Sequence, residues 1–537
     1  MKEVNYLCYI LNIFDSAEQP KLYLYSQSKG VVKISPSALL RSENIIVSYE
    51  IEKLFNYFIP KNNDFNNNFI DLSHVYRLIV GEPYKGRKGQ EPWSIWAILK
   101  KEYGELAFVK DLLTFIRAGS RPTKTNKIDE LVEIFLKYLK QMWEDLQKKL
   151  TEKNEWERYE TIERPVNNIF LKQQLTGIQI NADIVNQKLN EIDNYLTKSA
   201  KILRLNWNIL DPSDYLSINM ALTREGFSAL SDAEDLANES LLELYAKRGE
   251  LPKYLKMYRD NYKNKNILLR LGTINNKIFP EYKTLGTVTG RILVESPNIQ
   301  NIKSTNRRIF KPENDKVFLY PDYSQFEPGI MADDSEDEDL INDFNSGDIY
   351  LSLSERLFGN IEDRKYAKII FLSFCYGMKI NRMIRLAVDA SGKPAKEIEK
   401  SIKSFFGKYK KLNEWKDNLI TELKDNGRIG TRFGCYRYRT IASKYPLNNE
   451  EKRWVISQRI QGTAALILKR VILRINKECP QFDILLPMHD ALLLQVPKLD
   501  VKRSEATLSQ IFIDEFITEC PSIKPRVTFD EFSKVNQ

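Results

Sequence analysis

Two aspartates beside apolar runs, far apart in the chain, are the residues whose types and placement could do chemistry. Asp322 follows the run Val317–Tyr320 within KVFLYPDYSQFE. Much later, the runs DILLPM and ALLLQV flank His489–Asp490, which reads as a tight hairpin with the aspartate at its tip. Two strand-end carboxylates suit a two-metal phosphoryl-transfer site. Both would have to reach one pair of Mg²⁺ ions roughly 3.5–4 Å apart, with substrate phosphates completing the hard-oxygen shell. Either acid alone is more simply a strand terminus or a turn residue.

Between the two acids lies a cationic stripe. Arg364, Lys368, Leu372 and Tyr376 are spaced by four, so they share one helix face that drifts by roughly 40° per step. Two cations followed by an aliphatic and an aromatic side chain could clamp a triphosphate and bound its sugar and base. An ordinary amphipathic helix could carry the same stripe. It does not explain the whole order of strand acid, cationic helix and hairpin acid.

The elements that must position these groups are legible in outline. The strand candidates YLCYILNIF, KLYLYS and VVKI come first, and the helical pattern DELVEIFLKYLKQMWEDLQKKL follows, which predicts a compact α/β unit over residues 1–160. The charged, aperiodic stretch Glu152–Arg164 predicts a boundary. Beyond it, ADIVNQKLNEIDNYLTKSAKILRLN and DNYKNKNILLRL predict a mainly helical region, the latter with a basic face. Strands and helices then alternate to the end.

Composition narrows the function classes. The chain has 537 residues, with 81 basic and 72 acidic side chains and a formal net charge of +9. That length suggests three or four units at roughly 150 residues each, and the positive balance fits a polyanionic partner without demonstrating one. No apolar run approaches the ~18 residues of a membrane span, and no signal-peptide pattern opens the chain, so neither secretion nor membrane attachment is expected. Five cysteines without a CxxC pair and only two histidines, His74 and His489, argue against zinc sites and disulfide frameworks. A GxxxxGK[ST] loop is absent, which excludes a P-loop engine.

Several colinear segments carry a family resemblance. DYSQFE (322–327), RKYAKIIFLSFCYG (364–377) and MHDALLLQVP (488–497) resemble the three polymerase motifs of the family A DNA polymerases, the bacterial DNA polymerase I group. TLGTVTGRILVESPNIQNI (284–302), DIYLSLSERLFG (348–359), TRFGCYRYR (431–439) and IQGTAALILKR (460–470) are similar to intervening segments, and IERPVNNIFLKQQLTGIQIN (162–181) to the start of the thumb. The likeness covers residues 161–537.

The resemblance implies a multidomain α/β and α+β protein. An RNase H-like, exonuclease-type α/β domain (1–160) would precede a right-hand polymerase with a helical thumb (about 161–275), an antiparallel palm (about 276–335 and 440–537) and helical fingers (about 336–439). It implies that Asp322 and Asp490, with the Tyr323 carbonyl, bind two Mg²⁺ ions for which Mn²⁺ can substitute. Arg364 and Lys368 would hold the triphosphate, and Lys368 is the candidate acid for the leaving pyrophosphate. Glu327, bonded to Tyr376, would exclude a ribose 2′-hydroxyl. Leu372, Gln325 and Tyr350 complete the expected nucleotide side. Arg291, Arg453, Gln461, His489, Asn298 and Gln300 are expected on the primer–template side. The implied partners are primer–template DNA and deoxynucleoside triphosphates. The implied setting is a monomer in the cytoplasm, or wherever its replicon resides.

Departures from the family pattern are specific. Ala491 stands where a Glu is usual, Leu372 where an aromatic is usual, and Tyr350 where a triphosphate-contacting His is usual. Pro328–Gly329 replaces Leu-Arg, and Ser457 replaces a template-contacting Asn. In the first unit the expected nuclease acids are missing. The first strand has no Asp-x-Glu, Asp15 and Glu18 have the wrong spacing, and Met142 stands four residues after Tyr138 where an acid belongs. Glu50 or Glu52 and Asp71 remain, too few for two metals, so proofreading is not expected. An additional 5′-nuclease domain is not expected either. Two alternatives remain: a polymerase with ribonucleotide or RNA-template preference, which Glu327 with Tyr376 argues against, and a catalytically weak DNA-binding scaffold.

Overall fold

A computed structural model of the chain describes residues 3–10, 20–58, 65, 68–82, 91–103, 128–227, 230, 242, 243, 245, 246, 248–440 and 445–533. Asp15 and Glu18 lie outside the described residues. The first unit is a five-stranded mixed sheet of β1 (Val4–Ile10), β2 (Lys21–Ser26), β3 (Gly30–Ile34), β4 (Ile45–Ser48) and β5 (Asn68–Asp71), in the order β3-β2-β1-β4-β5. The β1–β2–β3 pairs are antiparallel, while β4 and β5 run parallel to β1. Strands β1, β4 and β5 read as nearly unbroken apolar runs because both faces are covered. Helix α1 (Leu72–Val80) follows β5, and α2 (Ile128–Glu152) packs its apolar face on the sheet through Val132, Phe135, Leu136 and Leu139.

At the expected boundary the chain is helical. Residues 156–176 are continuously helical, through a wide turn in which the Arg164 N–H bonds the Tyr159 carbonyl, into α3 (Arg164–Thr176). Three of the charged side chains in this stretch, Glu155, Arg158 and Glu163, are buried. Arg158 Nη2 donates to Glu163 Oε1 at 2.5 Å, and Lys469 Nζ donates to Glu163 Oε2 at 2.6 Å. Burial of these charges masks the apolar periodicity of a helix that leaves only Glu157, Thr161, Lys172 and Thr176 exposed over 156–176. Helix α3 spans the seam, giving Leu171 to the first core and Val166 and Phe170 to the second.

Two long helices, α4 (Ala182–Trp207) and α5 (Glu250–Leu269), then pack on each other. A small separate core of Leu203, Ile218, Leu222 and Leu255 closes their far end. The second sheet follows. β6 (Lys316–Leu319) and β7 (Pro321–Tyr323) are two pieces of one strand, interrupted at Tyr320 but keeping a single register. Asp322 therefore lies within a strand and not beyond its end. Helix α6 (Phe326–Ser335) leaves this edge, and its Gly329 replaces a side chain for a steric reason: a Cβ would lie 2.9 Å from the rings of Phe344 and Phe516.

Helices α7 (Ile349–Phe358) and α8 (Arg364–Cys375) pack side by side above the sheet. The 30-residue α9 (Asn449–Glu478), opened by a reciprocal Asn448–Glu451 capping box, returns the chain to it. Strands β8 (Asp483–Met488) and β9 (Ala491–Pro497) form the expected hairpin. Helix α10 (Val501–Glu519) and strand β10 (Val527–Phe529) finish the sheet, with β10 antiparallel to β7. No helix of the described residues is long and apolar enough to cross a membrane.

Candidate active site

Antiparallel register brings the two acids together. Asp322 in β7 pairs with Ala491 in β9, and the Tyr323 N–H donates to the Asp490 carbonyl at 3.3 Å. The β8–β9 loop is only His489–Asp490, with His489 left-handed at φ 54°. Gln325, just beyond β7, is also left-handed, at φ 56°. Each costs a non-glycine residue about 1–2 kcal/mol, so backbone strain flanks both acids.

The electrostatics match this crowding. Burial pushes the Asp322 carboxyl up to about 6, with Lys368 opposing and Asp530 adding to the rise. Burial, then Glu327, raises Asp490 to about 7, with Asp322 contributing and Arg291 and Lys368 opposing. Neither carboxylate accepts a hydrogen bond or ion pair from a side chain among the described residues. Half-buried acids left this way favour a cation between them.

The face of α8 lies above them. Arg364 places Nε at 2.8 Å and Nη2 at 2.7 Å from Oδ2 of Asp348, whose Oδ1 caps α7 by accepting from the Tyr350 and Leu351 N–H groups. Lys368 is exposed. Tyr350 is buried beneath both cations, its ring centre 5.2 Å from the Arg364 guanidinium and 5.8 Å from the Lys368 ammonium. Its π face thus supports the two charges from below. Leu372 is half-buried against the core, and Tyr376 ends the stripe one residue past the helix.

Glu327 is held from two sides. Arg291 Nη2 donates to its Oε1 at 2.8 Å and the Tyr376 hydroxyl donates to its Oε2 at 2.7 Å, while Gln461 also bonds the Tyr376 hydroxyl. His489, Asn298 and Arg453 are exposed, Arg453 donating to the Asn449 carbonyl at 3.1 Å.

Two expected contact residues are occupied elsewhere. Gln325 is buried, donating to the Gly347 carbonyl at 3.3 Å and accepting from the Ile349 N–H at 2.9 Å. Gln300 accepts from the Val294 N–H at 2.9 Å and donates to the carbonyls of Ile292 at 3.1 Å and Pro487 at 2.7 Å. Both amides fasten loops of the site. Sequence reading also missed Asp348, the Arg291–Glu327 pair and Asp530. Asp530 follows β10, whose Thr528 pairs with Asp322, and that pairing left no local pattern to announce it.

The acids left in the first unit are engaged as well. Asp71 is buried and accepts from the backbone N–H groups of Glu50, Ile51, Ser73 and His74 at 3.0, 2.7, 2.9 and 3.3 Å. Burial, then Glu52, still raises it to about 7. Burial would raise Glu52 too, but its ion pair with Lys283 holds it at about 2. Met142 is buried in the first core.

An antiparallel sheet carrying two half-buried acids beneath a cationic helix, with two long packed helices beside it, is a right-hand polymerase fold. Residues 185–523, more than half of the chain, match the profile of DNA polymerase family A, and the chain belongs to that family. DNA polymerase I of Caldicellulosiruptor bescii is 28% identical over 515 residues, covering 88% of this chain and 56% of the relative. DNA polymerase I of Helicobacter pylori is 26% identical over 423 residues, covering 73% and 46%. The chain thus spans about half the length of these relatives. The POL domain of Pol1 from M. smegmatis, solved in complex with DNA primer-template and dNTP, superposes with a TM-score of 0.72 at 17% identity, covering 98% of this chain and 94% of that one.

Proposed function

We propose that the chain is a template-directed DNA polymerase that adds deoxynucleotides to a primer 3′-hydroxyl and releases pyrophosphate. The observation that carries this reading is the pair of half-buried carboxylates, Asp322 and Asp490, both within electrostatic reach of Lys368 on the cationic face of α8. The M. smegmatis neighbour's primer-template and dNTP give the substrate class.

No group of three or more His, Cys, Asp or Glu side chains gathers at metal-binding range among the described residues. Two carboxylates and the Tyr323 carbonyl still suit Mg²⁺, which keeps water and substrate oxygens in its shell. Bound Mg²⁺ would neutralise charge at the attacking and leaving oxygens. Arg364, released from Asp348, and Lys368 hold the triphosphate, and Lys368 protonates the departing pyrophosphate. Glu327, fixed by Arg291 and Tyr376, excludes a ribose 2′-hydroxyl. Arg291, Arg453, Asn298, Gln461 and His489 serve the primer–template side, through contacts that position the duplex without reading its sequence.

Residues 1–160 act as a nuclease-deficient unit, because Asp71 and Glu52 are committed to a helix cap and an ion pair. The thumb spans about 161–275, the palm about 276–335 and 440–537, and the fingers about 336–439.

Extension of an end-labelled primer with Mg²⁺ tests the reading, comparing wild type with Asp322→Ala and Asp490→Ala. Growth on deoxynucleotides, lost in both variants, is the expected result. A parallel reaction without nucleotides should show no shortening, and shortening there would remove the nuclease-deficient assignment. Tight primer–template binding without growth would instead favour a polymerase-derived scaffold, a reading to which Ala491 lends itself. Duplex affinity should fall as salt rises, through counterion release.

A further inference from the structure

The segment that carries Arg291 is anchored from outside the catalytic sheet. Thr284 donates to Asn167 Oδ1 of α3 at 3.0 Å and lies 2.8 Å from His74 Nε2 of α1. Burial holds His74 near 4, so the ring is neutral at physiological pH; with the threonine proton committed to Asn167, Nε2–H is the donor. Two residues on, Arg77 Nη2 of α1 donates to the Gly286 carbonyl at 2.5 Å. The Arg77 guanidinium is itself seated 4.5 Å from the centre of the Trp93 ring.

Gly286 is a junction. Its N–H donates to the Arg291 carbonyl at 2.8 Å, and a Cβ at this position would lie 2.4 Å from Leu293 Cγ. Arg291 returns its own N–H to Thr287 Oγ1 at 3.1 Å. Its side chain then takes one oxygen of Glu327 while Tyr376 takes the other. A series of direct hydrogen bonds therefore runs from Arg77 through Gly286 and Arg291 to the carboxylate facing the expected sugar site.

We propose that Arg77, in the nuclease-deficient first unit, is a positioning residue for sugar discrimination, holding the Gly286–Arg291 turn so that Arg291 fixes Glu327 against Tyr376. The proposal rests on reading Glu327 as the group that excludes the 2′-hydroxyl. A carboxylate excludes one hydroxyl only while its orientation is fixed, and a displacement on the ångström scale is enough to lose that. The first unit thus contributes to nucleotide choice without touching the nucleotide.

The test measures the ratio of kcat/KM for a deoxynucleotide to that for the matching ribonucleotide in wild type, Arg77→Met, Arg77→Lys, Glu327→Gln and the Arg77→Met/Glu327→Gln double variant. Arg77→Met should lower the ratio by about tenfold while its deoxynucleotide kcat stays within about threefold of wild type. Arg77→Lys, which keeps a cationic donor to Gly286, should recover part of the loss. The double variant should discriminate no worse than Glu327→Gln alone, the signature of one residue acting through the other. An unchanged ratio in Arg77→Met, or additive losses in the double variant, would overturn the proposal. Should Arg77→Met fail to fold by circular dichroism, Arg77→Gln, whose shorter side chain draws back from the Gly286 carbonyl, and its double variant with Glu327→Gln decide on the same two readings. A wild type that extends no primer would overturn the polymerase reading on which all of this rests.

Discussion

Asp322 and Ala491 face each other across the antiparallel β7–β9 pair, and Ala491 is 1% exposed. The cross-strand neighbour of the first acid is thus a methyl group where the family usually has a carboxylate. On the opposite edge, β10 brings Asp530 near enough to raise the Asp322 pKa further. Asp322 thus has a methyl group on one flank and an acid on the other.

Metal affinity should depend on pH. Asp322 near 6 and Asp490 near 7 are largely protonated in mildly acidic solution, and a divalent cation binds the ionised forms. Affinity for Mn²⁺ should therefore rise through pH 6–7 and level off above about 8, with proton release visible by calorimetry in buffers of different ionisation enthalpy. Asp530→Asn should move the rise to lower pH. A flat profile would show that the acids are already ionised.

The same acids should weaken the metal-free fold above neutrality. A carboxyl with a raised folded-state pKa favours folding at low pH, and this contribution is lost as pH rises through that value. Asp490→Asn should stabilise the metal-free protein at pH 8 by ~1–2 kcal/mol, and much less at pH 5, while abolishing extension. Thermal melts at the two pH values read this directly.

Glu327 and Tyr376 should govern the choice of sugar. Glu327→Ala removes the carboxylate that Arg291 and Tyr376 both hold, and Tyr376→Phe removes one of its two clamps. Ribonucleotide incorporation should rise most in the first variant, by ~1–3 kcal/mol of lost discrimination, and less in the second. Single-nucleotide incorporation kinetics provide the measure.

Glu163 neutralises two buried cations at once, Arg158 at 2.5 Å and Lys469 at 2.6 Å. Glu163→Gln should destabilise the protein by ~3–5 kcal/mol, because Lys469 stays buried without its counter-charge and Arg158 keeps only Glu155, at 3.5 Å. Urea unfolding monitored by circular dichroism would show the loss, and a change under about 1 kcal/mol would mean that the network tolerates the substitution.

What could be read from the chain was what depends on near neighbours. The β8–β9 hairpin follows from two apolar runs around a two-residue loop, and the α8 stripe from a spacing of four, since strand alternation and helical rise are set by sterics within a few residues. The motif segments were equally visible, and with them Asp322, Asp490, Arg364 and Lys368. The Glu327–Tyr376 bond was expected from the resemblance and is present in the fold.

Partnership across the fold was not legible. Nothing near Gln300 says that its amide will close on Pro487, and nothing near Arg364 marks Asp348 as its counter-charge. The charged stretch around Arg158 and Glu163 gave no sign of burial, because its partner Lys469 lies 306 positions from Glu163. The chain by itself determined the local elements and the chemical types at the site. Only tertiary structure decided which donors were used up in fastening loops and which carboxylates were left half-buried without a bonded side-chain partner. A polar side chain's role depends on whether its hydrogen-bonding capacity is already satisfied, and that is fixed by segments meeting in space.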